Sequence, residues 1–458
     1  MNDTGTAPSP PARSLLGEVM DLTGPAVVQG LVVTGVLFTD RLLLGSHGGA
    51  TLGSMSIAGP TLWCVFSVFG ALGAGVLAIV GRAHGAGDAV RVGRVTSSAI
   101  AVAAALGTVL MVLGLAFHED ISVLVASDGP DVAEVRDLAN RYMFIVFLAA
   151  PLNLMGAIGT VALQAGGDTR TPMRLSWAAG FINLGLTWVL LFGHFGLPEM
   201  GIDGAAIGTA VAFSFQGIAT TAFLYFTRGP VRLGKPSTRA LPPIFKVAFP
   251  AVGERLIFHI GYFTFVVLVG RLGDTAMIAH QALIAIESLG FVGSSAFGIA
   301  AGALVAQKLG AKDPDAARAA GLLSAKLGVL CLTLFGLLFY CAAPWLVSWF
   351  TDDPAVIAIA VPCLRIAAFA QPLMAITDVF AGSLRGAGDT KTPMLVAMVG
   401  PVGVRISASF ALAYWADLGL IGIWLGSTLD WVVRAAWLSA AFLRGHWRQI
   451  ELPEEPSG

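Results

Sequence analysis

Carboxylates and guanidiniums stand in stretches of sequence that are otherwise apolar. Asp40 lies in "VLFTDRLLLG", Glu254 and Arg255 in "FPAVGERLIF", Glu287 in "IAIESLGF" and Asp378 in "AITDVFAG", with Arg365, Arg405, Asp430 and Arg434 further along. Holding such a group inside a membrane span costs a few kcal/mol or more, so these residues mark ion pathways, proton relays or internal ion pairs. The chemistry they offer is the binding and release of a proton or a small cation. Little else is available. The seven histidines are scattered, and neither an HExxH metalloprotease motif nor a GxSxG nucleophile elbow is present. A membrane-embedded enzyme would need a His, Asp or Glu constellation at catalytic spacing, which argues against that class. Cys64, Cys331, Cys341 and Cys363 all fall in apolar stretches without paired loop spacing, against a disulfide framework or a zinc site. No cofactor or resident metal is expected, beyond a weak Na⁺ site at Asp40.

The elements that carry these groups are membrane helices. Hydrophobic residues make up 56% of the chain and charged residues 12%, about half the charge of a soluble domain. Apolar runs of about 20 residues, long enough to cross a hydrocarbon core of roughly 30 Å, recur about twelve times. They centre near Val28, Phe66, Ala104, Val146, Leu184, Ala212, Thr264, Phe291, Leu330, Ala367, Val404 and Leu425. The short alternating segments of a transmembrane barrel do not occur. Even-numbered loops hold Arg82, Arg91, Arg94, Arg170, Arg174, Lys235, Lys246, Lys308, Lys312 and Lys391, with Arg385 counted among them. The odd loops are poor in Lys and Arg, with Arg41, Arg136, Arg141 and Arg271 as exceptions near their edges. The positive-inside rule places both termini in the cytoplasm.

One hydrophilic phrase occurs twice, "LQAGGDTRTPM" from Leu163 and "LRGAGDTKTPM" from Leu384. Each copy reads as a helix–turn–helix junction. Gly166, Gly167, Gly386 and Gly388 can take the positive φ that ends a helix, and Thr171 or Thr392 can cap the next one ahead of Pro172 or Pro393. The duplication extends beyond the turn: "GPAVVQ" matches "FPAVGE", "VGRAHGAGD" matches "VAQKLGAKD", and "GIDGAAIGT" matches "GLIGIWLGS", in the same order. The predicted fold is all-α and integral to the membrane: twelve helices in two six-helix lobes related by a pseudo-two-fold axis along the membrane normal. The expected boundaries are a disordered cytoplasmic N-terminus over 1–14, lobes over 15–227 and 247–444, a cytoplasmic linker over 228–246 and a cytoplasmic tail over 445–458. Parallel repeats of this kind place a substrate site between lobes that rock to alternate access.

The twelve-span pattern, the doubled "GDT(R/K)TPM" loop, the "GAGD" and "GAKD" loops and "GIWLGSTLDWVVRA" together resemble the multidrug and toxic compound extrusion (MATE) family, over nearly the whole chain. The resemblance implies a bacterial inner-membrane antiporter that exports organic, often cationic, amphipathic compounds against inward H⁺ or Na⁺ movement. Small organic molecules and the bilayer are then its partners, with no nucleic acid, and the working unit is a monomer. Aligned repeats show Asp40 opposite Phe265, an acid in one lobe against a phenyl ring in the other. In the DinF-like branch, the first-helix acid couples transport and faces polar groups at positions matching Asn153, Asn183, Thr187 and Thr209. The family often has an acid where this chain has Thr187. A hard cation wants several oxygen ligands and compensating charge, so H⁺ is expected rather than Na⁺.

The second lobe breaks symmetry differently. Glu254 aligns with Gln29, Glu287 with Leu62, Asp378 with Ala157 and Asp430 with Ala212. Glu254, Asp378, Glu287 and Arg405 are secondary coupling or cavity candidates, while Asp430 and Arg434 read as an internal ion pair. The NorM-like and eukaryotic branches carry acids about one turn from Glu254 and Asp378, at positions matching Phe258 and Met374. Pro25 removes a hydrogen bond inside the first span and could act as a hinge when Asp40 changes charge. A flippase for lipid-linked saccharide or peptidoglycan precursor shares this architecture; its polyanionic headgroup would call for cavity-facing basic residues in both lobes.

Overall fold

The computed structural model describes residues 14–125, 132–227 and 229–453. The tail expected over 1–14 lies outside them except for Ser14, whose hydroxyl accepts the Gly17 N–H at 3.2 Å and caps the first helix. Twelve helical spans follow: α1 Leu15–His47, α2 Gly49–Gly85, α3 Ala89–Val125, α4 Val132–Leu148 continued by Ala150–Ala165, α5 Arg170–Phe192, α6 Ile202–Phe226, α7 Leu241–Gly270, α8 Asp274–Gly310, α9 Pro314–Cys341, α10 Pro354–Gly386, α11 Lys391–Trp415 and α12 Gly419–Arg444. Among the described residues there is no β-strand. Ten of these helices are individually long and apolar enough to cross a bilayer, and α4 makes an eleventh, bent by 58°. The bend falls just before Pro151, which has no N–H to donate and crowds the preceding turn. Helix α12 has 26 residues, enough to cross, and carries Asp430 and Arg434 along its length.

Each six-helix unit has its own apolar core. Residues from α1 to α6, among them Val80, Met143, Phe147 and Leu163, form one; residues from α7 to α12, such as Phe339, Cys363, Leu364 and Ile423, form the other. The lobes meet along α1 and α2 against α7 and α8. Val19 and Leu22 of α1 pack on Ala300, Ala303 and Leu304 of α8. At the face carrying the basic loops, Arg82 donates to the Ala387 carbonyl at 2.8 Å, Gln307 to the Ala165 carbonyl at 2.7 Å, and Lys308 lies 2.7 Å from Glu18. Arg82 and Gln307 are equivalent positions of the two repeats, so each lobe caps the end of a helix of the other. Partway along the spans, Ser67 Oγ and His259 Nε2 lie 2.6 Å apart across the interface.

The repeated phrase is built alike in both copies. Gly167 and Gly388 take φ of 87° and 90°, the left-handed conformation that glycine adopts without a Cβ clash. Gly166 has φ of −81°, and Gly386 is not among the positive-φ residues. The cap also differs from the sequence expectation. Asp168 and Asp389, rather than Thr171 and Thr392, supply the capping oxygen, accepting the Thr171 and Thr392 N–H groups at 2.9 and 3.0 Å. The hydroxyls of Thr169 and Thr390 then donate to carbonyls on the first helix of their own lobe, at Asp21 (3.3 Å) and Val247 (2.6 Å). The phrase therefore ends one helix, starts the next and ties both to the lobe's first helix.

The linker is pinned. Gly234 N–H donates to the Gly93 carbonyl at 3.1 Å and Ser237 N–H to Ser98 Oγ at 2.9 Å, and α7 starts at Leu241, six residues before the expected lobe boundary, because Pro242 and Pro243 suit a first helical turn. After α12 the chain folds back: Trp447 is buried, stacks on Phe442 at 4.8 Å and donates its indole N–H to the Phe442 carbonyl at 2.8 Å.

Helices α8 and α10 cross at backbone contact. A Cβ on Gly382 would lie 2.1 Å from the Gly298 carbonyl oxygen, and one on Gly386 2.1 Å from that of Gly302. Small residues four apart on each helix permit this approach. Gly382→Val is expected to destabilise the protein by about 1–3 kcal/mol through overpacking. A fall in the melting temperature of the purified protein checks this; an unchanged value would refute it.

Candidate functional site

The first-lobe site joins α1, α4, α5 and α6. Asp40 projects from α1 towards Asn183 of α5, which is buried. The hydrogen-bond balance assigns the amide nitrogen of Asn183 to the side facing Asp40, where it donates to both carboxylate oxygens at 3.0 Å; its oxygen then accepts the Thr209 N–H at 3.3 Å and hydroxyl at 3.2 Å. Thr209 Oγ1 also lies 3.0 Å from the Tyr142 hydroxyl of α4. Asp40, Asn183 and Thr209, three of the residues named through the resemblance, are thus one hydrogen-bonded network. Two candidates stand apart. Thr187 is fully buried with its hydroxyl unpartnered, and the Asn153 side chain makes no hydrogen bond among the described residues. Tyr142 was missed by sequence reasoning; the available signal was a phenol in the apolar "RYMFIVF", a group that seeks a partner when buried. Helix α1 runs continuously through Pro25.

The second lobe encloses a cavity of about 680 Å³, within the range of sites for drug-sized molecules. Thr34, Trp63 and Leu77 of the first lobe line it, but most of its wall comes from α7, α8, α10, α11 and α12. Glu254 and Arg385 form a forked pair, Nη2 to Oε1 at 2.5 Å and Nε to Oε2 at 3.2 Å. Arg385, placed by sequence in a basic loop, instead turns into the lobe, because the last turn of α10 faces Glu254. Asp378 accepts a hydrogen bond from Ser294 on α8. The expected Asp430–Arg434 pair is present and is part of a triad: Asp430, with no exposed surface, accepts from Arg405 Nε at 2.9 Å and Arg434 Nη2 at 2.9 Å. Trp431 stacks on the guanidinium of Arg434, 3.6 Å from ring centre to carbon. Helix α11 widens into π-helical turns over Met398–Arg405, around Pro401, whose missing N–H breaks the regular ladder; such widening re-aims the side chains that follow, here Arg405. Glu287 is 5% exposed, lines the cavity and makes no ion pair among the described residues.

Two lobes of six helices, repeated in parallel around an interlobe seam, with ionisable groups on helices long enough to cross a membrane, define a polytopic membrane transporter. Comparison with known proteins agrees. The MatE family profile matches residues 25–189 and 250–410, one match per lobe, and the chain belongs to that family of transporters. It is 26% identical over 436 residues to a protein of Thermotoga maritima described as probable multidrug resistance protein NorM, covering 94% of this chain and 93% of that one. To the multidrug resistance protein NorM of Burkholderia vietnamiensis it is 29% identical over 433 residues, covering 92% and 93%. A solved structure described as the outward-facing conformation of a multidrug resistance MATE family transporter superposes with a TM-score of 0.86 at 18% identity, covering 95% of this chain and 96% of that one.

Proposed function

We propose that the protein is a cation-coupled antiporter, driven by H⁺ rather than Na⁺, that exports organic, often cationic, amphipathic compounds across a bacterial inner membrane by alternating access between its lobes. Both termini are cytoplasmic and the working unit is a monomer. The observation that carries this reading is the contact of Asp40 with Asn183, which ties a titratable group on α1 to α5 and, through Thr209, to α4 and α6. Protonation of Asp40 removes the charge that the Asn183 N–H groups solvate, weakens that tie and frees α1 to move with Pro25 as its hinge. H⁺ is favoured because the cluster has one carboxylate, and the amide presents N–H to it rather than an oxygen that a hard cation would need. The names of the NorM relatives support multidrug compounds as cargo. The flippase reading calls for cavity-facing basic groups in both lobes, whereas the first-lobe part of the cavity wall, Thr34, Trp63 and Leu77, carries none, and in the second lobe Arg385, Arg405 and Arg434 are each bound to a carboxylate. The test is efflux of a fluorescent lipophilic cation from proteoliposomes under separately imposed H⁺ and Na⁺ gradients. Efflux driven by H⁺ alone is expected; efflux driven only by Na⁺, or by neither, would overturn the reading.

A further inference from the structure

The internal repeat runs past the membrane helices. The stretch "FTRGPVR" at the end of α6, from Phe226, matches "FLRGHWR" at the end of α12, from Phe442, so the segment after the twelfth span is the counterpart of the interlobe linker. Both segments fold back onto their own lobe. Val231 of the linker is buried and lies on Gly166 of the first repeated phrase, leaving no room there for a Cβ. Its equivalent Trp447 is buried too, and the next residue, Arg448, holds Asp315 of α9 at 3.1 Å. Beyond these anchors the second segment turns onto the interlobe seam. Leu452 lies on Gly388 of the second repeated phrase, its Cδ2 2.5 Å from where a Cβ would stand. Ile450 packs on a second-lobe cluster, and Leu452 on the cluster of α1 to α6, which the start of α7 also joins. The carbonyl of Ala387, next to Gly388, is the one that Arg82 reaches across the seam. On the same face, Gly85 and Gly310 bring the ends of α2 and α8 into backbone contact, with no space for a Cβ beside the Gln307 and Arg82 carbonyls.

We infer that residues 449–453 form a strap over the seam at the basic-loop face, anchored in the second lobe by Trp447 and Arg448 and fastened by Leu452, which lifts before the lobes part on that side. The inference rests on the alternating-access reading above and adds the element that sets how readily this face opens. Leu452 covers the turn that carries the Ala387 carbonyl, so its departure exposes the Arg82 hydrogen bond to water. A half-buried leucine contact is worth about tenfold in an equilibrium constant, strong enough to bias the seam and weak enough to release in each cycle. The linker cannot play this part, because Gly234 and Ser237 pin it to Gly93 and Ser98 on α3, within its own lobe.

The test is hydrogen–deuterium exchange, read by mass spectrometry on the full-length protein in lipid nanodiscs, without a gradient or a substrate. The reporters are the turns at 86–88 and 311–313, which follow α2 and α8 at the seam and are remote from Leu452 in sequence. Leu452→Asp is expected to raise exchange in both turns about tenfold, Leu452→Ala about threefold, and Leu452→Met to leave it within about twofold. Amides at 193–200, between α5 and α6, keep wild-type rates in all three variants, which shows that the fold is intact. If Leu452→Asp loosens the whole protein, the milder Leu452→Ala decides. Faster exchange confined to residues 445–453 and the Gly388 turn would reduce Leu452 to local packing and overturn the strap. An even rise throughout the protein in Leu452→Ala, or no rise at either reporter, would do the same. Exchange is read without a gradient, so the strap can stand if H⁺-driven efflux fails, and can fall while efflux stands.

Discussion

Asp40→Asn is expected to abolish gradient-driven accumulation while leaving the fold intact. The substitution keeps the size and planarity of the side chain and still allows a neutral hydrogen bond to Asn183, as the protonated acid does, so the fold survives with the α1–α5 tie fixed in its weaker form. It removes the one thing an amide cannot do, which is to exchange a proton between the two sides of the membrane. If one proton is exchanged per substrate, an imposed difference of two pH units supports a concentration ratio of about 100, because each tenfold step is worth about 1.4 kcal/mol. The variant is expected to hold that ratio near one in the proteoliposome assay, with facilitated equilibration of the dye at most. An accumulation ratio equal to wild type would place coupling in the second lobe, at Glu254 or Asp378, and would sink the first-lobe mechanism.

Asp430→Ala is the second large effect, and it is on stability. Asp430 is completely buried and holds Arg405 and Arg434, which are 8% and 7% exposed. Removing it leaves two guanidiniums in the interior without the carboxylate they are bonded to, and breaking a buried pair from one side costs about 3–5 kcal/mol. A marked drop in melting temperature and in the monodisperse fraction is expected. The pair itself need not be net stabilising, because an apolar replacement of similar volume avoids the desolvation of all three ions. The triple variant Asp430→Ala, Arg405→Met, Arg434→Met is therefore expected to recover most of the lost stability. A single variant that melts like wild type would show that the guanidiniums find water or other partners.

Much of the plan was legible before any coordinates. Twelve apolar runs, each a bilayer thickness long, and a phrase repeated after about 220 residues dictate a duplicated helical membrane protein, because backbone polar groups in lipid must be satisfied within each segment and helices do this locally. Asp40 stood out for the same local reason, a carboxylate in an apolar run without an acid in the equivalent place of the second repeat. Asn183 and Thr209 entered through the resemblance and were indeed brought together with it, whereas Asn153 and Thr187 were not. Nothing in linear spacing separates those outcomes, since helix rotation decides which polar side chain faces which neighbour.

What the sequence by itself determined was the class of element, the number of spans, the two-lobe repeat and the identity of the charged residues inside it. Tertiary structure alone decided how those charges are partnered: Arg385 turns inward to Glu254, Asp430 is shared by two arginines, and Arg255 and Glu287 line one cavity. The physical reason is that helix formation and membrane insertion depend on neighbours in sequence. The pairing of side chains depends instead on how α7, α8, α10, α11 and α12 rotate and cross. Those rotations are set by close contacts such as Gly298 on Gly382 and by the π-helical turns at Pro401, which couple residues dozens of positions apart.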